Sequence, residues 1–197
     1  MKEFTIIRGL FDNRKRQLIL NENFIKFENK DHKDDLFTIV NKNDIAGIRY
    51  GIHFIKGLEF YIGREYKIFI KTNSGDELKI NFKLFYRRKL NEKHQLYSDI
   101  IDGFWDYYLN DISKKYLDKI ENGIEFTLCN IKFSRDKIIF NDKELLLKNV
   151  EIKSYYHYFI IYSNLDQYQN KMLYYLQDEN AVIVLNLLTI IKNNGEF

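Results

Sequence analysis

The sequence predicts a mainly β, α+β chain of two strand-rich subdomains, each ending in a helix. Three observations carry this. Apolar residues alternate at period two through most of 17–82 and again after Gly123. Between about 91 and 121 the period changes to three or four. A short, very apolar stretch at about 181–192 then follows the second set of strands. The division expected is 1–123 for the first subdomain and 124–197 for the second.

Leu18-Ile19-Leu20 and Phe24-Ile25-Lys26-Phe27 flank the turn-favouring triplet Asn21-Glu22-Asn23, which predicts a hairpin. Glu28–Asp35 reads as an exposed loop, Leu36–Val40 as a short strand, and Asn41–Asp44 as a turn. Ile48, Tyr50, Ile52 and Phe54 then alternate, as on a half-buried strand. Gly57 and Gly63 punctuate two further strands. Tyr66, Ile68 and Ile70 alternate with Lys67 and Lys71, and Asn73-Ser74-Gly75-Asp76 turns the chain into Leu78, Ile80 and Phe82.

In the helix, Tyr97, Ile100, Ile101, Phe104, Trp105, Tyr108, Ile112, Tyr116 and Ile120 form one apolar stripe. Asn91 is the expected N-cap, and Asn122-Gly123 supplies the stop. At about eight turns, this helix is expected to bridge from the first subdomain to the second. Strands are expected again at Ile124–Leu128, Ile131–Phe133, Ile138–Phe140, Leu145–Ile152, Tyr155–Tyr162 and Lys171–Gln177, before the closing helix Ala181–Lys192.

The chain has 15 Tyr and 16 Phe, enough large rings to build two cores. Net charge is +4 over 1–123 and −1 over 124–197, without the basic stripe of a nucleic-acid binder, so no nucleic-acid partner is expected. Cys129 is the only cysteine, which rules out an internal disulfide and a thiolate metal cluster. Met1–Arg8 lacks the apolar stretch of a signal peptide, and the longest apolar run, Ala181–Leu185, falls far short of the roughly 20 residues of a membrane span. A cytoplasmic protein with no transmembrane segment is the expectation.

The two strand sets repeat a pattern. Leu18-x-Leu20-x4-Ile25-x-Phe27 matches Ile131-x-Phe133-x4-Ile138-x-Phe140 in spacing, and Asp44-Ile45 and Asn149-Val150 follow at corresponding turns. A one-residue slip would invert every side chain, so matched spacing points to one template used twice. Strands closed by one C-terminal helix, twice over, resemble the pleckstrin-homology-like (PH-like) superfold, particularly the small PH-like domains of bacterial proteins. The resemblance covers about Gln17 to Asn193 and implies bent β-sandwiches, each plugged by its helix and filled by side chains. Its second copy is the shorter. That superfold hosts lipid, peptide and protein binders alike, so no functional residue transfers.

No catalytic constellation is read. His32, His53, His94 and His157 are dispersed, with no partner at metal-ligand spacing, so no metal or cofactor is expected. There is no nucleophile elbow and no Gly-rich phosphate loop. Two segments carry the binding readings. Lys83, Arg87, Arg88, Lys89 and Lys93 interleave with Phe85 and Tyr86 where a strand gives way to a helix, a pattern suited to anions or anionic lipid. Arg14-Lys15-Arg16 is a smaller basic turn. Tyr155–Tyr162 is aromatic on both strand faces, so whichever face stays outside displays rings of the kind that form protein-binding hot spots. The candidates are Tyr155, Tyr156, Tyr158 and Tyr162. The function expected is that of a non-catalytic intracellular adaptor with a protein partner. Peripheral binding to anionic membrane lipid through Lys83–Lys93 is the alternative, and a dedicated neutraliser of a toxin is a further one.

Overall fold

The computed structural model describes residues 1–9, 14–29, 35–86 and 90–194. Its strands are antiparallel throughout and fall in four sheets. The chain divides into two compact units, Met1–Asn110 and Asp111–Phe197.

In the first unit, β1 (Lys2–Ile7), β2 (Lys15–Leu20), β3 (Phe24–Glu28) and β4 (Phe37–Asn41) form one sheet in that order. A single 3-10 turn, Lys42–Asp44, leads into a second sheet of β5 (Ile45–Lys56), β6 (Tyr61–Thr72) and β7 (Glu77–Phe85). Alternation puts Leu18, Leu20, Ile25, Phe27 and Val40 inside from one sheet, and Tyr66, Ile68, Ile70, Ile80, Phe82 and Leu84 from the other. The Lys83 N–H donates to Arg8 O at 2.6 Å and joins the end of the first sheet to β7.

β1 was absent from the strands expected; its sequence, KEFTII, has too few apolar residues on one face to register as alternation. Gly63 lies inside β6 rather than between strands. A Cβ there would stand 2.3 Å from Leu84 O, so glycine is what lets β7 pair closely.

The helix follows as α1 (Leu90–Phe104), a π-helical turn (Trp105–Leu109) and α2 (Asn110–Glu121). It already includes Leu90, so Asn91 lies within the first turn and is not the N-cap. The π turn falls where large apolar residues crowd the sequence, and it buries Phe104, Tyr108 and Leu109 together. The stop is as expected: Gly123 takes φ +68°, its N–H donates to Ile120 O, and the Ile124 N–H reaches Lys119 O.

In the second unit β8 (Phe126–Leu128), β9 (Ile131–Phe133), β10 (Lys137–Phe140) and β11 (Lys143–Leu146) form one sheet. After a 3-10 turn, Leu147–Asn149, come β12 (Val150–Ser154), β13 (Tyr158–Ser163), β14 (Asn170–Tyr174) and α3 (Ala181–Asn194). Two-residue turns with positive φ at both positions, Cys129-Asn130 and Asn141-Asp142, set the β8–β9 and β10–β11 registers tightly. α3 buries Val182, Ile183, Val184, Leu187, Leu188 and Ile191.

Two expected strands are corrected here. Leu145–Ile152 is not one strand: the chain changes sheets at Leu147–Asn149, so the shorter unit still carries the strand order of the first. Tyr155–Tyr162 loses its first three residues to a turn, closed by the Tyr155 N–H on Tyr158 O at 2.8 Å.

The matched spacing corresponds to matched hydrogen bonds. Leu20 faces Ile25 across β2–β3, and Phe133 faces Ile138 across β9–β10. Asn21 N–H donates to Phe24 O, and Ser134 N–H to Lys137 O. Each 3-10 turn is tied back alike, Lys42 N–H to Asn23 O and Leu147 N–H to Asp136 O, both at 2.8 Å. At the far end Asn73 N–H reaches Asp44 O, and Asn164 N–H reaches Asn149 O.

Candidate functional site

β13 settles which aromatic face of the second unit points out. Phe159 and Ile161 are buried with Leu173 of β14, so Tyr158, Ile160 and Tyr162 stand on the opposite face. Register sets Tyr158 beside Tyr174 and Ile160 beside Met172, with Lys153 across from Ile160. The Tyr155 ring stacks on Tyr158 at 4.8 Å, and Tyr158 lies 5.6 Å from Tyr174. The Lys153 ammonium sits 5.5 Å over the Tyr155 ring. Tyr155, Tyr158, Ile160, Tyr162, Met172 and Tyr174 thus form one continuous ring-rich face, with the Lys192–Glu151 ion pair at its border. Tyr156 is in the turn and 83% exposed, beside this face in sequence but off the strand. Of the four tyrosines expected, Tyr158 and Tyr162 stand on the sheet face and Tyr155 stacks on Tyr158 from the turn; Met172, Ile160 and Tyr174 were not foreseen.

The corresponding outer face in the first unit is built differently. On β5–β6–β7, Arg49 pairs with Glu77, Lys79 with Glu77 at 3.2 Å, and Lys67 with Glu65 at 3.1 Å. Arg8 Nε donates to Asn81 Oδ1 at 3.0 Å, and Asn81 Nδ2 to Glu65 Oε1 at 3.3 Å. Partial burial raises the Glu65 carboxyl, but Lys67, Lys83 and Asn81 outweigh it and hold its pKa below the usual value. This face is mostly a lattice of paired charges, with one ring, Phe69, 4.9 Å under the Arg49 guanidinium.

The basic segment is seen only at its ends. Arg87, Arg88 and Lys89 lie outside the described residues. Lys83 is on the outer side of β7, 3.6 Å from Glu65, and Lys93 in the first turns of α1 donates to Lys83 O at 2.7 Å. Those two lysines are therefore neighbours.

The first unit is not filled throughout. A cleft of about 750 Å³ lies between its two sheets, lined among others by Arg8, Arg16, Glu28, Thr38, Asp76 and Glu77. Arg16 was expected on an exposed basic turn; it is 5% exposed, because it shares the inward register of Leu18 and Leu20. That two-residue register was the available signal. Glu28 accepts from Arg14 at 2.9 Å and from the Gln17 N–H at 3.0 Å, and these bonds hold its carboxyl below the ordinary range. A carboxylate so held stays ionised at neutral pH and offers no proton to a bound ligand.

Among the described residues no group of three His, Cys, Asp or Glu side chains is placed to hold a metal ion. No helix among them is long and apolar enough to cross a membrane. Cys129, in a hairpin turn, gives its thiol hydrogen to Glu179 O, and burial pushes its pKa up to about 12. No family model, curated protein or solved structure matches the chain.

Proposed function

We propose that the chain is a non-catalytic intracellular binding protein of two tandem PH-like subdomains, which engages a protein partner through the outer face of β12–β13–β14. The PH-like reading is supported by the shared order of the two units, two antiparallel sheets and then a helix, and by their matched turn hydrogen bonds.

The contrast between corresponding faces carries the functional reading. On β5–β6–β7 the outer side chains are mostly paired charges around the single ring Phe69; on β12–β13–β14 they are Tyr155, Tyr158, Ile160, Tyr162, Met172 and Tyr174, with Glu151 and Lys153 beside them. Folding one sheet of this kind does not require a ring-rich exterior, because the first unit manages with Phe69 among charges. Clustered tyrosines with a methionine supply large contact area at small entropic cost, the composition that protein interfaces favour.

Affinity capture with the full chain from its own cells tests this. A partner held by wild type is lost by Tyr155→Ser/Tyr158→Ser/Tyr174→Ser and kept by Lys67→Ser/Lys79→Ser. An identical set of captured proteins for all three chains refutes the reading. The alternative, anionic lipid at Lys83–Lys93, is favoured by the adjacency of Lys83 and Lys93. It predicts sedimentation with anionic vesicles that weakens with salt and with Arg87→Glu/Arg88→Glu; equal retention in the supernatant refutes it.

A further inference from the structure

Three exposed apolar side chains of the first unit gather at the tip of the β5–β6 hairpin, apart from the others at Met1, Leu36 and Ile39. Leu58 is 100% exposed, Phe60 69% and Tyr61 56%. The tip is a closed turn, not slack chain: the Gly57 N–H donates to Phe60 O at 2.7 Å. A Cβ on Gly57 would stand 2.8 Å from the Ile62 side chain, so the turn closes tightly over its own strand. The closed turn carries Leu58 and Phe60 with their side chains exposed.

These strands are also the longest among the described residues. β5 and β6 have 12 residues each, whereas their counterparts β12 and β13 have 5 and 6. β7 pairs with β6 as far as Gly63, with one further bond from the Tyr86 N–H to Ile62 O at 2.9 Å, so among the described residues the tip, Lys56 to Tyr61, stands beyond the third strand.

We propose that this tip is a membrane-insertion site for an anionic lipid surface. This goes beyond the protein-contact reading and does not depend on it. The order of side chains along the hairpin is what selects lipid. Leu58 and Phe60 lead; Tyr61, with an apolar ring and a polar end, comes next; Lys56 pairs with Tyr61 in the ladder, and Lys83, 3.6 Å from Glu65 opposite it, follows on β7. That sequence matches the depth profile of a bilayer: hydrocarbon, then the interfacial zone favoured by Tyr, then phosphate. A protein would meet a convex tip of two side chains only with a matching pocket; an acyl interface needs none. Glu59 is the acid at the tip and opposes an anionic surface, so it sets a limit on the affinity.

The test uses the full chain and sedimentation with two vesicle types, phosphatidylcholine alone and phosphatidylcholine carrying phosphatidylserine. Wild type is expected to pellet with the second and less with the first. Leu58→Ser/Phe60→Ser is expected to lower the partition by roughly tenfold or more, since it removes most of the apolar surface to be buried. Lys56→Glu is expected to lower it on anionic vesicles by about fivefold per unit of charge at low salt, and Glu59→Gln to raise it. In Leu58→Trp, vesicles should shift the added tryptophan emission to the blue relative to the Trp105 background of wild type. Leu58 touches nothing, so melting curves of these variants should superpose on wild type.

Three results overturn the proposal: wild type stays in the supernatant with both vesicles; Leu58→Ser/Phe60→Ser pellets like wild type; or the Leu58→Trp emission ignores lipid. A protein captured through the tip in the absence of vesicle binding also overturns it. Loss with Arg87→Glu/Arg88→Glu but not with Leu58→Ser/Phe60→Ser assigns binding to the basic segment instead.

Discussion

Replacing Tyr108 by phenylalanine removes a single oxygen from the middle of the first unit. That oxygen lies 2.6 Å from Asn21 O and 2.7 Å from Phe24 O, sharing its hydrogen between them, and accepts the Asn21 N–H at 3.1 Å. The ring is fully buried, so phenylalanine keeps its packing and no cavity forms. The Asn21 N–H retains Phe24 O at 3.0 Å, which leaves the Asn21 carbonyl as the group that loses its donor. One such loss costs about 1–2 kcal/mol. In a chain of this size that lowers the melting temperature by roughly 2–8 °C. Urea unfolding and amide exchange at Asn21 read the effect globally and at the turn. Tyr107→Phe, one residue away, is the control and should stay within about 0.5 kcal/mol. Burial also raises the Tyr108 pKa above its usual 10.0. The unfolded chain therefore ionises first, and stability should fall as pH rises past 10, less steeply in Tyr108→Phe. An unchanged midpoint and unchanged Asn21 exchange in Tyr108→Phe would refute the claim that this hydroxyl pins the β2–β3 turn to the helix.

Gly63→Ala should destabilise the first unit by about 3 kcal/mol, because its Cβ collides with the Leu84 backbone; chemical denaturation measures it. Glu28 has a lowered carboxyl, so its contribution is full above the unfolded value of 4.5 and is lost as pH falls through the lower folded value. Glu28→Gln should accordingly flatten the acid limb of a stability–pH curve, and an unaltered limb would contradict the Arg14 pairing. With its pKa near 12, the Cys129 thiol should resist iodoacetamide at pH 8 while folded and react on denaturation; rapid alkylation of the native chain would contradict its burial.

Much of the strand plan was legible in the residues. Leu18, Leu20, Ile25 and Phe27, like Ile131, Phe133, Ile138 and Phe140, needed only period-two alternation and a fixed turn between them. The helix stop at Asn122-Gly123 was legible too, since few residues other than glycine take that φ readily. The expected helix start falls too late, since Leu90 before Asn91 is already helical, and the π turn was invisible, because Phe104-Trp105 and Tyr108-Leu109 fit an apolar stripe at either period.

Other features belonged to the tertiary structure. Leu145–Ile152 reads as one strand although the repeat puts a turn at Asn149-Val150; the chain changes sheets there, at Leu147–Asn149. Tyr155–Tyr162 is aromatic on both faces, so local pattern could not choose between them; the turn at Tyr155–His157 and the burial of Phe159 did. Arg16 reads as surface charge until its neighbours Leu18 and Leu20 are placed inside, and Gly57–Tyr61 reads as punctuation until the hairpin lifts it clear of β7. Alternation is a local property of the chain and can be read from it. Which side of a strand meets solvent depends on what packs there, and that is decided between residues far apart in sequence.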